Sequence, residues 1–401
     1  MVCGQYRLVE RRISKCSKKE KVKKNFNLKN YFILKIFTFD YSFQSWENSG
    51  ILKNELRLYQ KLEETGYKFI FLTYGDKSDL KYEKYFKNSI VIPIYSKIRL
   101  PKFKLIRILQ SFLIPVYFYK SLNNVKLIKH NQLLGVWVAI ILKIILGVPL
   151  YVRTGYDMYT FSKSMEVGKI KVALYYFLTQ FALVSCNLYS VSSKTDLKFL
   201  RKKYIFTKKI KIRKNSVDVK DTGPFVKRIE NEIICVGRLE KQKNYEYIIK
   251  EFSNSKIQIN IYGEGSLRKE LEILAKKENT KVEFKGMLDN DLLNNELKKY
   301  KYYIIPSHFE GNPKSLLEAM ANGCAVFASS IPNNKEIVED KVTGYLFKLK
   351  TNELKNVFFN VKQNEILKVA SNGKEFINKN YSVEKAVKKE IEDYKDLIDL
   401  R

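Results

Sequence analysis

Past Asn30, short apolar runs of strand length alternate with longer segments whose apolar residues recur at helical spacing, and no other feature of the sequence restricts its fold as much. A parallel strand pair needs a crossover of a dozen or more residues, usually a helix. Repeated β-α units therefore imply open parallel sheets with helices on their faces. Strands are expected at 34–39, 68–73, 89–92, 125–129, 150–154 and 188–191. The first helix is expected to begin near Gly50, to carry Leu52, Leu56 and Leu62 at helical spacing, and to stop at Gly66. Together these units make one doubly wound domain.

A second series follows the polar, basic stretch 201–228, with strands expected at 232–236, 257–262, 281–285, 302–306 and 325–328. The sequence from Glu353 onward reads as helical and polar, and Tyr381-Ser382 opens a last helix. A length of 401 residues leaves room for two or three domains. Two doubly wound domains in tandem form a cleft between the carboxyl ends of their strands, where open α/β sheets bind ligands.

Composition excludes other classes. The chain is 45% apolar and 13% aromatic, too greasy for a disordered protein. Its five cysteines, Cys3, Cys16, Cys186, Cys235 and Cys324, form no Cys-x-x-Cys pair, which argues against a disulfide framework or a thiolate zinc site and fits a reducing cytosol. The formal net charge of +32 has two open readings: a field that attracts polyanions or anionic membranes, and a bias toward Lys, Asn, Ile, Tyr and Phe of the sort AT-rich coding produces. Residues 1–30 are basic, lack an apolar core of signal-peptide length and read as a solvated, disordered extension. Residues 106–119 are too few for a bilayer that needs about 20 apolar residues. Residues 133–150 carry Lys143 centrally and end in Gly147-Val148-Pro149, as a helix leading into a buried strand would.

The densest chemistry lies in Pro306-Ser307-His308-Phe309-Glu310-Gly311-Asn312-Pro313-Lys314-Ser315-Leu316-Leu317-Glu318, which continues Ala319-Met320-Ala321-Asn322-Gly323 after an expected strand. The loop from Glu310 to Pro313 exposes backbone N–H groups, and the helix after it points its positive end at whatever occupies the loop, as an anionic ligand requires. Glu318 falls about two turns into that helix. From there its carboxylate can accept hydrogen bonds from a diol while Glu310 faces the ligand's head.

These residues closely resemble the Glu-x7-Glu motif, P-S-x-x-E-G-x-P-x-x-L-L-E-A-M-A-x-G, of the retaining glycosyltransferases of the GT-B fold, family four, also called glycosyl transferases group 1. The resemblance extends to Val236-Gly237-Arg238-Leu239-Glu240-Lys241-Gln242-Lys243-Asn244, Tyr262-Gly263-Glu264-Gly265, Phe284-Lys285-Gly286, Glu336-Ile337-Val338 and Gly344-Tyr345-Leu346-Phe347. It implies an α/β fold of two Rossmann-like doubly wound domains facing each other across a cleft. Residues 31–210 would be the acceptor domain, 211–228 the linker and 229–375 the nucleotide-sugar donor domain, with 376–401 a C-terminal helix able to pack back toward the first domain.

The resemblance also implies roles. Arg238 and Lys243 would bind the donor diphosphate and stabilise it as it leaves. Glu318 would bind the ribose hydroxyls. Glu310, with the backbone of Gly311, Asn312 and Pro313 and the adjoining Lys314 and Ser315, would hold the sugar and diphosphate. Gly286 would lie near the base, and Gly50 near the donor phosphate. Gly263-Glu264-Gly265 has two open readings, a glycine loop at the ligand and a tight turn before a helix.

The sequence departs from the family at Gly155, where many relatives carry a histidine that contacts the reacting sugar; Arg153 or Asp157 would then take part of that work. Ser216 replaces glycine in the N-G-V-D turn, and Asn333 stands where relatives often have glycine. His130 is open as a substrate contact or a polar strand-end residue, and His308 as an acceptor contact or a turn cap. Two isolated histidines suggest no metal centre, and Asp289-Asn290-Asp291 reads as a helix start rather than a metal-binding Asp-x-Asp. No cofactor or metal is therefore expected.

The function implied is transfer of a hexose-like sugar from a nucleoside diphosphate sugar to an acceptor hydroxyl with retention, in assembly of surface polysaccharide, lipopolysaccharide or capsule. The alternative is a catalytically altered nucleotide-sugar binding or scaffold protein of the same fold. The expected partners are the donor and a carbohydrate or lipid-linked carbohydrate acceptor, in the cytoplasm. Peripheral contact with the inner face of an anionic membrane would run through Lys97, Arg99, Lys102, Lys104, Arg107 and the residues after them. Without a base-stacking or groove-reading motif, nucleic acid is not an expected partner.

Overall fold

Strands β1 (Phe32–Ile36), β2 (Phe69–Thr73), β3 (Ile90–Pro93), β4 (Val125–Asn131), β5 (Leu150–Arg153), β6 (Leu188–Val191) and β7 (Ile210–Ile212) form one sheet in the order β3-β2-β1-β4-β5-β6-β7. Every neighbouring pair in it is parallel. A second parallel sheet has the order β10-β9-β8-β11-β12-β13, from β8 (Ile229–Val236), β9 (Gln258–Tyr262), β10 (Val282–Gly286), β11 (Tyr300–Ile305), β12 (Ala325–Ser329) and β13 (Tyr345–Phe347). This computed structural model describes residues 31–122, 124–164, 168–218 and 225–399. The extension 1–30 and part of the 211–228 linker lie outside the described residues.

The central strands are buried on both faces, which is why they read as continuous apolar runs rather than alternating ones. In the second sheet, successive residues enter opposite cores. Ile233, Cys235, Ile259, Ile261 and Tyr302 pack on one side, and Ile234, Tyr262, Tyr303, Ile305 and Val326 on the other. Both sheets reverse their order beside the first strand, between β1 and β4 and between β8 and β11. An open α/β sheet binds ligands at the carboxyl ends of the strands flanking such a switch point.

Most sequence-expected strands lie within two or three residues of the observed ones. β1 ends at Ile36 rather than Phe39: Phe37 and Phe39 are buried, but in the turn that follows the strand. The helix expected from Gly50 to Gly66 is Leu52–Glu64, with Leu52, Leu56 and Leu62 buried; a separate short helix, Phe43–Asn48, precedes it unexpectedly, and Gly50 lies between the two at φ +70. β7 and β13 were not anticipated. Each has only three residues, too few for a periodic signal.

The chain divides into two units. The first comprises 1–191, 197–213 and 387–401, and the second 192–196 and 214–386. The first is discontinuous, because most of the last helix, Val383–Asp399, belongs to it. That helix meets one cation on a strand and one just past a strand's end. Lys129 on β4 donates to Glu390 at 2.6 Å and to the Tyr394 hydroxyl at 3.1 Å, and Arg213 holds Asp393 through Nε and Nη2, each at 2.6 Å. Burial pushes the Glu390 carboxyl up, but Lys129 and Arg153 together outweigh it and hold the group below its ordinary value.

Candidate active site

Arg238 lies on the turn leaving β8, and Glu310 on the loop leaving β11, so the two strands of the second switch point deliver the two charges. Lys243, on a short 3-10 turn after Arg238, reaches across to Glu310 with Nζ 2.6 Å from Oε1; both side chains are largely buried. Ser307 donates to the same oxygen at 2.7 Å. Gln242 approaches Oε2 at 3.5 Å and donates more firmly to the Phe309 carbonyl at 2.9 Å. One carboxylate oxygen is thus held twice, and the other is weakly engaged. Arg238 is exposed and makes no side-chain hydrogen bond or ion pair among the described residues.

The loop is fixed from outside, which leaves its amides unused. The Asn215 side chain donates to the Asn312 carbonyl at 2.8 Å, and the Asn312 side chain accepts from the Asn215 amide at 3.2 Å. Asn333 donates to the Gly311 carbonyl and to the Ser193 hydroxyl, so the residue that departs from the family's glycine anchors the loop. The Gly311 and Asn312 amides have no acceptor among the described residues. They precede the helix Lys314–Ala321, whose N-cap is Pro313. Unpaired N–H groups ahead of a helix start make a site suited to an anion.

Glu318 is buried in the second turn of that helix, and its Oε1 accepts from Asn290 at 2.8 Å. Asp289 accepts from the Leu292 amide at 3.0 Å, so Asp289-Asn290-Asp291 opens a helix, and its middle residue steadies Glu318. Ser315 accepts from the buried Tyr303 hydroxyl at 2.9 Å. Gly286 ends β10 at φ +74, and its carbonyl accepts from the Gly263 amide at 2.8 Å. A Cβ on Gly263 would lie 2.0 Å from the Gly237 carbonyl oxygen, and one on Gly265 2.4 Å from that of Leu239. These glycines let the turn after β9 press against the turn that carries Arg238. The tight-turn reading of Gly263-Glu264-Gly265 therefore has a direct physical basis.

Other sequence candidates have different tasks. His308 is exposed, and its backbone amide donates to the Gln242 carbonyl at 3.0 Å. His130 is fully buried in the first unit, with Nε2 3.2 Å from the Leu134 carbonyl, which makes that nitrogen the donor. It is a core residue and not a surface contact. Asp157 accepts from the Thr160 amide and hydroxyl at 2.8 and 2.9 Å, capping the helix Met158–Ser164. Arg153 faces Glu390 at 4.0 Å and donates to the Arg213 carbonyl. Both residues offered in place of the family histidine thus have structural work. Gly50, His130, Arg153 and Asp157 belong to the first unit, while Arg238, Lys243, Gly286, His308 and residues 310–318 belong to the second.

Sequence reasoning assigned no role to Ser307, Gln242, Asn290 or Asn215. Ser307 and Gln242 lay inside the quoted motifs and could have been found as polar neighbours of Glu310. Asn215, first residue of the N-G-V-D-like turn, and Asn290, inside the helix start at 289–291, gave no local sign of the residues they hold.

Residues 221–370, which lie within the second unit, match the family Glycosyl transferases group 1. It is 27% identical over 194 residues to a Campylobacter jejuni alpha-1,4-N-acetyl-D-galactosaminyltransferase named for a GalNAc-GalNAc-diNAcBac-PP-undecaprenol substrate, covering 46% of this chain and 53% of that protein. It is 31% identical over 144 residues to the Staphylococcus aureus capsular polysaccharide biosynthesis glycosyltransferase CapH, covering 33% and 40%. The chain spans about half the length of the curated relatives it matches. Its fold is that of Anabaena HepE in complex with UDP and glucose, with a TM-score of 0.70 at 15% identity, over 92% of this chain and 100% of that one. The two Rossmann-like units are thus those of the GT-B class.

Proposed function

We propose that this chain is a retaining glycosyltransferase that moves a sugar from a nucleoside diphosphate sugar to a hydroxyl of a surface-polysaccharide or lipid-linked glycan. The observation that carries this reading is the group of unpaired Gly311 and Asn312 amides beside the Lys243–Glu310 pair and the exposed Arg238. In this reading the amides and the two cations bind the diphosphate, Glu318 and Asn290 hold the ribose, and the weakly engaged Oε2 of Glu310 accepts from the sugar. The leaving diphosphate takes the acceptor's proton as the acceptor attacks from the same face, so configuration is kept. Fixed cations and a helix start carry the leaving charge, and no metal is assigned a role.

UDP is the first donor nucleotide to test, because HepE was solved with it. The capsule and undecaprenol names of the relatives support a surface-glycan or lipid-linked acceptor, with peripheral contact to an anionic membrane near residues 97–119. The second reading, a nucleotide-sugar binding protein without transfer, is favoured by Gly155 in place of the family histidine.

Thermal stabilisation by UDP, GDP, ADP and CDP tests the core of the proposal. A ligand at 100 times its dissociation constant adds about 2.7 kcal/mol. A shift with one nucleotide that disappears in Glu318→Ala supports the donor site, and no shift with any of them refutes it. Turnover of the matching nucleotide sugar then separates transferase from binding protein. NMR of the product anomer tests retention.

A further inference from the structure

On the first unit, the helices Ile114–Phe118, Val136–Leu146 and Lys169–Ser185 pack side by side, and their outward positions are apolar where solvent would favour polar side chains. Along Lys169–Ser185, Ile170, Leu174, Phe177 and Phe181 recur at steps of three and four residues and form one exposed stripe; Ile170 is 89% and Phe177 67% exposed. The neighbouring helix adds Ile144, 75% exposed. The loop after the helix Lys194–Lys203 is tied to the same helix by two bonds between Gln180 and the Ile205 backbone, and it extends the stripe with exposed Ile205 and Phe206.

The stretch of sequence that contains this face is more one-sided in charge than the rest of the chain. Between Glu83 and Asp196 there are 16 Lys and Arg but only two acidic residues, Asp157 and Glu166, whereas the rest of the chain has 58 against 40. Asp157 is buried in its capping role. Beside the stripe opens a cleft of about 430 Å³ lined by Tyr159, Lys163, Lys169, Tyr176, Phe177 and Lys203. The Lys203 ammonium lies over the Tyr159 and Tyr176 rings at 5.1 and 5.5 Å. Among the described residues no helix is long and apolar enough to cross a membrane.

We propose that the helix Lys169–Ser185 lies in the headgroup layer of an anionic phospholipid bilayer. Its stripe enters the acyl boundary, and the lysines of the adjoining cleft meet lipid phosphates. An exposed apolar stripe flanked by cations and nearly free of anions matches that interface, where aromatic and aliphatic groups sink while lysines stay among phosphates. The inference rests on the membrane reading above but moves its centre from residues 97–119 to this helix, and it is independent of the donor site.

Flotation of the full chain with phosphatidylglycerol-containing vesicles, against pure phosphatidylcholine, tests it. The wild type is expected to float with the anionic vesicles at low salt and to leave them as salt rises. Leu174→Asp/Phe177→Asp and, separately, Lys169→Glu/Lys203→Glu should each lower the bound fraction at least tenfold, with the melting temperature and the nucleotide shift kept. Lys102→Glu/Lys104→Glu should have the smaller effect. A wild type that does not float overturns both this inference and the membrane reading. Flotation unchanged in both 169–203 variants but lost in Lys102→Glu/Lys104→Glu overturns only this one. Equal binding to neutral vesicles, or a dimer in light scattering that Phe177→Asp dissolves without any flotation, also overturns it. Should the Asp pair fail to fold, Leu174→Gln and Phe177→Ser carry the same expectation.

Discussion

Lys243 and Glu310 form one ion pair at 2.6 Å, with Ser307 donating to the same carboxylate oxygen, so two residues 67 apart in sequence are a single element of the site. Each fixes the other's position in the loops leaving β8 and β11.

Glu310→Gln should keep the fold and lose transfer by at least about 100-fold, the scale of removing one group that acts on the transition state. Lys243→Met should lose transfer comparably and also cost about 1–3 kcal/mol in urea unfolding, because a largely buried carboxylate keeps only Ser307 and Gln242. In the double variant the losses should fall well short of additive. Either single variant with full activity would remove that residue from the mechanism.

Gly263→Ala should cost more than about 2 kcal/mol, since its φ of +150 and a Cβ 2.0 Å from the Gly237 carbonyl combine strain with a clash against backbone. Gly155→Ala, whose Cβ would meet only the Gln132 amide nitrogen at 3.5 Å, should stay within about 1 kcal/mol of wild type. Chemical denaturation of the two variants gives the comparison.

His130 sets an acid limit. Burial, with Lys35 nearby, holds its imidazole down to about 3, against 6.5 when unfolded. Between those values the unfolded chain binds a proton that the folded one does not, so stability should fall as pH drops, at a slope of order 1 kcal/mol per pH unit. His130→Gln keeps a donor for the Leu134 carbonyl but cannot titrate. Urea midpoints from about pH 7 down to about pH 4 should decline less steeply in the variant, and parallel curves would count against this assignment.

Glu390→Gln should destabilise the protein by about 3–5 kcal/mol, because it leaves Lys129 buried without its anion. Replacing both, as Lys129→Met with Glu390→Leu, should recover most of that loss, since two fitted apolar groups avoid the desolvation that a buried ion pair suffers. Thermal unfolding of the three proteins distinguishes the pair from a merely crowded site.

The two parallel sheets and the loop-to-helix turn at Pro313 were legible because they rest on local rules. Strand-length apolar runs mark strands buried on both faces, and the Gly/Pro-containing loop before an apolar periodic segment marks a helix start. What escaped depended on distance in sequence. Asn290 reaches Glu318 across 28 residues, and Asn215 holds Asn312 across 97, and nothing near either asparagine signals its partner. His130 stayed open between two readings for a related reason: a polar residue near a strand end looks the same whether its side chain meets solvent or the core. β7 and β13 show the lower limit of periodicity, since three residues cannot display a repeat of two with any weight.

The discontinuous first unit also bears on how the protein is made. Lys129 and Arg153 leave the ribosome with β4 and β5, but Glu390, their acidic partner, follows only after the whole second unit has been synthesised. Until then the first sheet exposes cations that its finished form encloses, and its last helix is missing. The second unit, 192–196 and 214–386, lies wholly upstream of that acidic partner. A nascent chain stalled before Glu390 would thus carry all seven strands of the first sheet while lacking the anion that Lys129 and Arg153 meet in the finished fold.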